Sequence, residues 1–180
     1  MSMPNRPTSF ALAVVLSSFV ATAPHAATEG PKLGKPLEPE TLVGLDIHVF
    51  PDGSGLPDGE GDTVGGAKLY EGLCASCHGL RGTGGSASEL VGRSPLNGPH
   101  PDQSVGNYWP YATTLFDFIR RSMPLNAPRS LTDSQTYALT AYLLEINGLV
   151  DPGTRLNKSN LSAIRMPNRD GFISLWPMAQ

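Results

Sequence analysis

The sequence lacks several features that would point to other classes of protein. It has only two cysteines in 180 residues, so it has no framework of disulfides. Its formal net charge is −3, and it contains no basic run of the kind that binds nucleic acid. After residue 26 no apolar stretch is long enough to cross a membrane. No grouping of acid, base and nucleophile indicates a catalytic site. Its chemistry must therefore come from the few reactive side chains that it has.

Both cysteines lie in one short motif, Cys74-Ala75-Ser76-Cys77-His78. The pattern C-x-x-C-H is typical of covalent attachment of a c-type haem. Each thiol adds to one vinyl group of the porphyrin. Residues three apart on a helical end share one face, so both sulfurs can meet the same edge of the ring. The histidine that follows can bind the iron through a neutral imidazole.

Other roles of a C-x-x-C pair fit the sequence less well. A thioredoxin-like dithiol wants a βαβ context, and no such pattern is visible. A zinc site would need more cysteines or histidines nearby. A structural disulfide is the third alternative, but thioether formation would leave neither thiol free for it. The motif therefore predicts haem c.

The sixth iron ligand is predicted at Met123, which follows a helical segment and precedes Pro124. A thioether is a soft iron ligand, and His/Met coordination raises the reduction potential. Met166 also precedes a proline, and His100 would give a bis-histidine haem instead. A haem catalyst or gas sensor with an open sixth position is an alternative of a different class. The predicted haem-binding residues are Cys74, Cys77, His78 and Met123, of which His78 and Met123 bind the metal.

The first 26 residues are typical of a secretory signal peptide. A positive n-region with Arg6 precedes an apolar run from Phe10 to Ala23, and the cleavage point is expected near Ala26. The run is shorter than the ~18 residues that a membrane span usually needs, and an uncleaved anchor is the alternative. Haem c is attached to reduced thiols outside the cytoplasm. The leader and the motif therefore both predict a periplasmic protein.

A first helix is predicted from near Thr63 to the C-x-x-C-H motif, with Asp62 or Thr63 capping its first turn. Gly66 permits a close approach by another helix, and Tyr142 of the last helix is expected to pack over it. Residues 79–107 are expected to form a long loop. A loop of this length is unusual without a function, and here the function is to wrap a cofactor.

Two further helices are predicted after the loop. One covers about residues 110–121, with Pro110 in its first turn. The other begins at the caps Ser130 or Thr132 and ends at Asn147-Gly148. The predicted fold is therefore all-α, with three main helices around one covalently bound haem and irregular N- and C-terminal extensions.

Both extensions carry side chains that are too apolar for free linkers, such as Val49 and Phe50 before the helices and Phe172 and Ile173 after them. The N-terminal extension is expected to be either a disordered leader or an arm that packs on a partner. The tail is expected to dock on this domain or on a second protein. The predicted organisation is a signal peptide at 1–26, an N-terminal extension at 27–63, a haem domain at 64–150 and a C-terminal tail at 151–180.

Arginines are concentrated around and after the motif, a distribution suited to an acidic partner, although ordinary solvated arginines explain it equally well. Arg120 and Arg121 are also candidates for contact with haem propionates, and Trp109 for a position beside a propionate. The arginines of this segment are Arg81, Arg93, Arg120, Arg121 and Arg129.

The order of helix, C-x-x-C-H motif, long loop, helix, methionine and final helix over residues 64–148 resembles a class I-type cytochrome c domain. The segment from Ser104 to Pro124, with its Tyr-Trp-Pro-Tyr and Arg-Arg-Ser-Met-Pro runs, resembles more narrowly the haem subunits of periplasmic sulfite dehydrogenases. The tail from Met166 to Phe172 is similar to that group as well. The cytochrome domain of the Sox sulfur dehydrogenase resembles the chain equally well.

The resemblance implies an electron-transfer subunit that is not an enzyme by itself. In the sulfite dehydrogenase group, the cytochrome partners a molybdopterin subunit that oxidises sulfite, and the electrons continue to a downstream cytochrome or oxidase. The Sox-type partner is commonly longer and carries two haems, so a single C-x-x-C-H motif favours the sulfite dehydrogenase subunit. A Sox-type arrangement and a free-standing periplasmic electron carrier are the alternatives.

Overall fold

The computed structural model describes residues 34–99, 101 and 103–173. The predicted signal peptide and His100 lie outside the described residues. From Pro39 onward the chain forms one compact unit. Within the described part, no helix has the length and apolar character that a membrane crossing requires. The elements are α1 (Pro39–Val43), β1 (Glu60–Asp62), α2 (Thr63–Leu73), α3 (Ala75–His78), α4 (Ala112–Ser122), α5 (Asp133–Ile146), β2 (Arg155–Asn157) and a 3₁₀ turn (Leu161–Ala163).

Helix α2 begins where the sequence predicts. The Asp62 carboxylate caps it by accepting a hydrogen bond from the Gly65 backbone N–H at 2.8 Å. A Cβ atom added at Gly66 would lie 2.0 Å from the carbonyl oxygen of Ala138 and 2.7 Å from the Cβ of Tyr142. Only glycine allows α2 and α5 to cross this closely. The predicted packing of Tyr142 over Gly66 is confirmed.

Helix α5 is held at both ends as predicted. Thr132 and Gln135 form a capping box, because each side chain accepts a hydrogen bond from the other residue's backbone N–H, at 3.2 and 2.8 Å. At the other end Asn147 is the cap, and Gly148 takes the positive φ of 69° that favours glycine. Between these ends α5 is buried along most of its length.

Helix α4 begins at Ala112, so the predicted place of Pro110 in its first turn is wrong. Tyr111 is extended, forms an antiparallel bridge with Arg165 and precedes the first helical residue, which leaves Pro110 outside the helix. The buried face of α4 meets α5 through Phe116 and Tyr137, whose ring centroids are 4.5 Å apart. This contact forms the centre of the core.

The fold is all-α as predicted, apart from one short ribbon that the sequence did not reveal. Strands β1 and β2 pair antiparallel, with Glu60 opposite Asn157. The ribbon therefore joins the N-terminal extension to the tail. Among the side chains singled out in the extensions, Val49 is buried, whereas Phe50, Phe172 and Ile173 are exposed. Four apolar side chains of the extensions lie in the core. They are Val49, Leu156, Leu161 and Met166.

Candidate functional site

The C-x-x-C-H motif follows α2 directly and forms the short helix α3. The backbone N–H of Cys74 donates to the carbonyl oxygen of Tyr70 at 2.9 Å, which closes α2. The N–H groups of Cys77 and His78 donate to the carbonyl oxygen of Cys74 at 3.1 and 3.0 Å. Residues 74–78 are thus wound as one tight turn. Both cysteine sulfurs are predicted to share one face because a helical turn is expected at the motif, and the structure has that turn.

The ring of His78 is held in one orientation by a hydrogen bond. Its Nδ1 lies 2.8 Å from the carbonyl oxygen of Ser88. Since a carbonyl can only accept, Nδ1 carries the hydrogen and Nε2 keeps a free lone pair. Histidines that bind metals are usually held by the second ring nitrogen in this way. Nothing in the sequence marks Ser88 for this role, because any residue supplies a carbonyl.

The loop after the motif folds back onto it. The N–H of Ala87 donates to the carbonyl oxygen of Cys77 at 2.8 Å. The hydroxyl of Tyr70 donates to the carbonyl oxygen of Gly79 at 2.9 Å. Burial, followed by the nearby Cys74 and Tyr142, raises the pKa of Tyr70 to about 12. This phenol therefore stays protonated, and remains a donor, over the whole physiological range.

The Cys74 thiol does not have the lowered pKa of an activated redox thiol. Burial, and then the charge of Cys77, raise the pKa of the Cys74 thiol to about 11. Catalytic C-x-x-C pairs need a lowered thiol pKa instead. Among the residues that the structure describes, no three His, Cys, Asp or Glu side chains are grouped so that they would hold a zinc ion. Both observations disfavour the alternatives to haem attachment.

Met123 is the C-cap of α4, and its N–H donates to the carbonyl oxygen of Ile119 at 3.0 Å. Its side chain is half-buried against the same hydrophobic core as Cys74. Met166 is only 1% exposed and belongs to the centre of that core. The thioether of Met123, rather than that of Met166, is therefore the one at the margin of the packed interior.

A haem fits the chemistry of this donor set. The set offers two thiols, an imidazole with a free Nε2 and a thioether, which are the groups that attach and coordinate a c-type haem. Several apolar side chains between residues 64 and 148 are only partly buried against the core, and a porphyrin would cover such surface favourably. These side chains are Leu69, Leu90, Trp109 and Ile146.

Two arginines expected near propionates or at an acidic partner are engaged within the chain. Arg120 Nε lies 2.9 Å from Asp133 Oδ1, and Arg121 Nη2 lies 2.6 Å from Asp117 Oδ2. Both guanidinium groups also reach residues 47–48 of the N-terminal extension. The sequence leaves propionate contact, an acidic partner and plain surface open for these two arginines, and the structure adds partners within the chain. The contacts with residues 47–48 join segments more than seventy positions apart, so no local sequence signal reveals them.

The helical part of the chain matches a known protein family. Residues 64–147 match the cytochrome c family, a span that contains α2 apart from its first residue, the C-x-x-C-H motif, Met123 and α5. Over 108 residues the chain is 32% identical to the thiosulfate dehydrogenase of Allochromatium vinosum, covering 56% of this chain and 39% of the relative. The chain thus spans about two fifths of that relative's length.

A solved structure is similar over a larger part of the chain. The sulfane dehydrogenase SoxCD from Paracoccus pantotrophus contains a chain that is 39% identical, with a TM-score of 0.74. The match covers 82% of the present chain and 72% of that one. It therefore extends beyond the three main helices into the extensions.

Proposed function

This chain belongs to the cytochrome c family, and from that premise we propose that it is the mono-haem electron-transfer subunit of a dehydrogenase that oxidises an inorganic sulfur compound. The observation that carries the proposal is the family match across the elements that bear the motif and Met123. When bound, haem c takes up and releases one electron at a time. The chain serves a catalytic partner and is not an enzyme by itself.

The proposed roles of the site residues follow from their positions. Cys74 and Cys77 form the thioethers, and His78 Nε2 and Met123 Sδ bind the iron. The Ser88 carbonyl holds the His78 ring in the required tautomer, at an Nδ1–O distance of 2.8 Å. Fixed ligands of this kind, together with an apolar surround, set the reduction potential.

The ligand assignment is tested by replacing each candidate methionine in the haem-loaded protein. We expect Met123→Leu to keep the covalent haem, to lose the charge-transfer band between methionine sulfur and ferric iron, and to lower the reduction potential. Met166→Leu is the matched control, since it changes a core methionine by a nearly volume-conserving swap and should keep the band. Persistence of the band in Met123→Leu would refute the assignment.

For the substrate, we propose sulfite, oxidised at a molybdopterin subunit in a heterodimer with this chain. Each sulfite would supply two electrons. A single haem would accept one electron, pass it to a downstream cytochrome or oxidase, and only then accept the second. The likeness to the sulfite dehydrogenase haem subunits and the single C-x-x-C-H motif support sulfite. The 39% identity to a chain of SoxCD supports a second candidate, a Sox-type partner that oxidises sulfane sulfur.

We place the complex in the periplasm. Two observations support this location. Residues 1–26 resemble a signal peptide, and haem c is attached to reduced thiols outside the cytoplasm. A fractionation of the native host, with the haem stain followed through periplasmic and membrane fractions, tests it. An uncleaved anchor would leave the haem stain in the membrane fraction.

The partner is tested by purifying a tagged copy from its own host. We expect stoichiometric molybdenum and rapid reduction of the haem on addition of sulfite. Molybdenum with no reduction by sulfite, but with reduction by a sulfane donor, would favour the Sox-type partner. A haem protein that carries no molybdenum and is reduced by neither compound would be a free-standing electron carrier, and the proposal would be wrong.

A further inference from the structure

We propose that the segment Gly44–Pro51, here called the arm, positions the sixth-ligand residue Met123 by tying down the loop that carries it. The inference rests on the proposed role of Met123 as an iron ligand. It assigns a function to the arm, to Arg120 and to Arg129, none of which touches the haem-binding motif. The loop in question comprises residues 123–132 and joins α4 to α5.

The base of the loop is closed by one ion pair. Arg120 lies in the last turn of α4, and Asp133 is the first residue of α5. Arg120 Nε and Asp133 Oδ1 are 2.9 Å apart, with side chains 19% and 36% exposed. Because this pair is partly shielded from water, it holds the two helix ends together better than a fully exposed pair would.

The arm is hydrogen-bonded to the chain on both sides of Met123. Before it in the chain, Arg120 Nη1 donates to the carbonyl oxygen of Ile47 at 3.3 Å. After it, Arg129 Nη2 donates to the carbonyl oxygen of Gly44 at 2.9 Å. The arm therefore bridges the last turn of α4 and the far part of the loop. Moving the loop away from the arm requires the charge-assisted hydrogen bond of Arg129 to break, while the bond of Arg120 holds the arm against α4.

The arm itself is fixed to α4. The backbone N–H of Val49 donates to Asp117 Oδ1 at 3.2 Å, and the other carboxylate oxygen accepts from Arg121 Nη2 at 2.6 Å. Asp117 is 8% exposed and Val49 is 9% exposed. Lifting the arm would remove one partner from a buried carboxylate and expose an apolar side chain. Both changes are unfavourable, so the arm is a stable support for the loop.

A loop that opens more often exposes the iron to outside ligands more often. If an added ligand binds only when Met123 is displaced, its apparent Kd equals the intrinsic Kd divided by the fraction of molecules that are open. The affinity of the ferric protein for imidazole therefore reports how well the loop is held. This measurement is independent of electron transfer to or from a partner.

The test compares imidazole binding among variants of the haem-loaded chain. We expect Arg120→Ala and Arg129→Asn each to lower the apparent Kd about tenfold, with a larger fall in the double variant. Asparagine is chosen because Arg129 has a positive φ of 64°, which asparagine tolerates. Arg120→Lys, which keeps the cation, should restore most of the wild-type value.

The matched control is Arg155→Ala. Arg155 also joins two distant segments, through Glu60 at 2.6 Å and Asp62 at 3.1 Å, but these lie in the ribbon of β1 and β2. It should leave the apparent Kd of imidazole unchanged. If the apparent Kd fell as far in Arg155→Ala as in Arg129→Asn, a general loss of stability would explain both changes. That result would overturn the proposal.

The remaining outcomes separate this inference from the proposed function. If Met123→Leu keeps the methionine band, the ligand assignment fails first. If that band is lost in Met123→Leu but imidazole binds to Arg129→Asn as it does to the wild type, the arm does not position Met123. Arg129 is exposed, so this variant should fold even where Arg120→Ala does not. Circular dichroism of each variant verifies folding.

Discussion

Two regions of the molecule differ in how completely the protein alone buries its apolar side chains. In the crossing region, where α2 and α4 meet α5, Tyr70, Phe116 and Tyr137 are at most 1% exposed. In the ligand region, residues 73–80 and 118–125, Ile119 is buried, but four other large apolar side chains are 41–79% exposed, namely Leu73, Leu80, Phe118 and Leu125. The crossing region is thus fully buried by the protein alone. The ligand region needs a large apolar group to complete it, and a porphyrin is such a group.

The largest effect should come from emptying the crossing region. Phe116→Ala removes a fully buried ring and should lower the free energy of unfolding by about 3–5 kcal/mol. Phe118→Ala is the matched control on the same helix, and its ring is 42% exposed beside Trp109. We expect less than half the effect there. Guanidinium unfolding of the haem-loaded proteins, followed by circular dichroism, measures both. Equal losses of unfolding free energy in the two variants would mean that the two regions do not differ in how much their rings contribute to stability.

The close crossing itself can be tested with two glycines of α2. Gly66→Ala places a methyl group 2.0 Å from a backbone oxygen of α5 and should destabilise the protein by about 2–3 kcal/mol. At Gly72 nothing lies within 4 Å of an added Cβ. Gly72→Ala should therefore be neutral or stabilise α2 by up to about 1 kcal/mol, since alanine favours a helix. A tolerated Gly66→Ala would mean that the helices can separate without loss.

A smaller effect should report how firmly the N-terminal extension is docked on the crossing region. The hydroxyl of Tyr137 donates to the carbonyl oxygen of Pro57 at 3.0 Å. Tyr137→Phe removes this bond with almost no change in shape and should cost about 1 kcal/mol. The same chemical unfolding measures it. No change would show that residues 57–60 add nothing to the stability of the core.

The smallest effect is expected in the ligand region. Leu125 is 79% exposed, although it lies two residues after Met123. Leu125→Ala should change the free energy of unfolding by no more than about 0.5 kcal/mol in the haem-loaded protein. A loss of about 2 kcal/mol or more would mean that the bound haem buries this leucine, which would then belong to the surface that the porphyrin completes.

The sequence was sufficient where a few adjacent residues determine the structure. The Asp62 and Thr132 caps, the end of α5 at Asn147 and the glycine crossing at Gly66 were all predicted, because each depends on local backbone chemistry or on one small side chain. The C-x-x-C-H motif likewise carries its chemistry within five residues. The cytochrome c fold followed from the order of these signals.

Contacts between distant segments could not be predicted in the same way. The pairing of β1 with β2 joins short polar strands that have no alternating apolar pattern. The capture of the arm by Arg120 and Arg129 uses backbone carbonyl oxygens, which every residue possesses. The start of α4 was misplaced because Tyr111 bridges to Arg165 instead of joining the helix. In each case the deciding partner lies far away in the chain.

The ribbon of β1 and β2 has a consequence for how fast the chain can fold. Its cross-strand ion pair joins Glu60 and Arg155, which are 95 positions apart. Closing so long a loop costs chain entropy before any contact is gained, and domains with such high contact order fold more slowly than simple helical bundles. We therefore expect an interval after synthesis in which β1 has no partner and the start of α2, which follows it directly, is not yet anchored to the tail. During that interval the thiols of Cys74 and Cys77 remain open to covalent attachment.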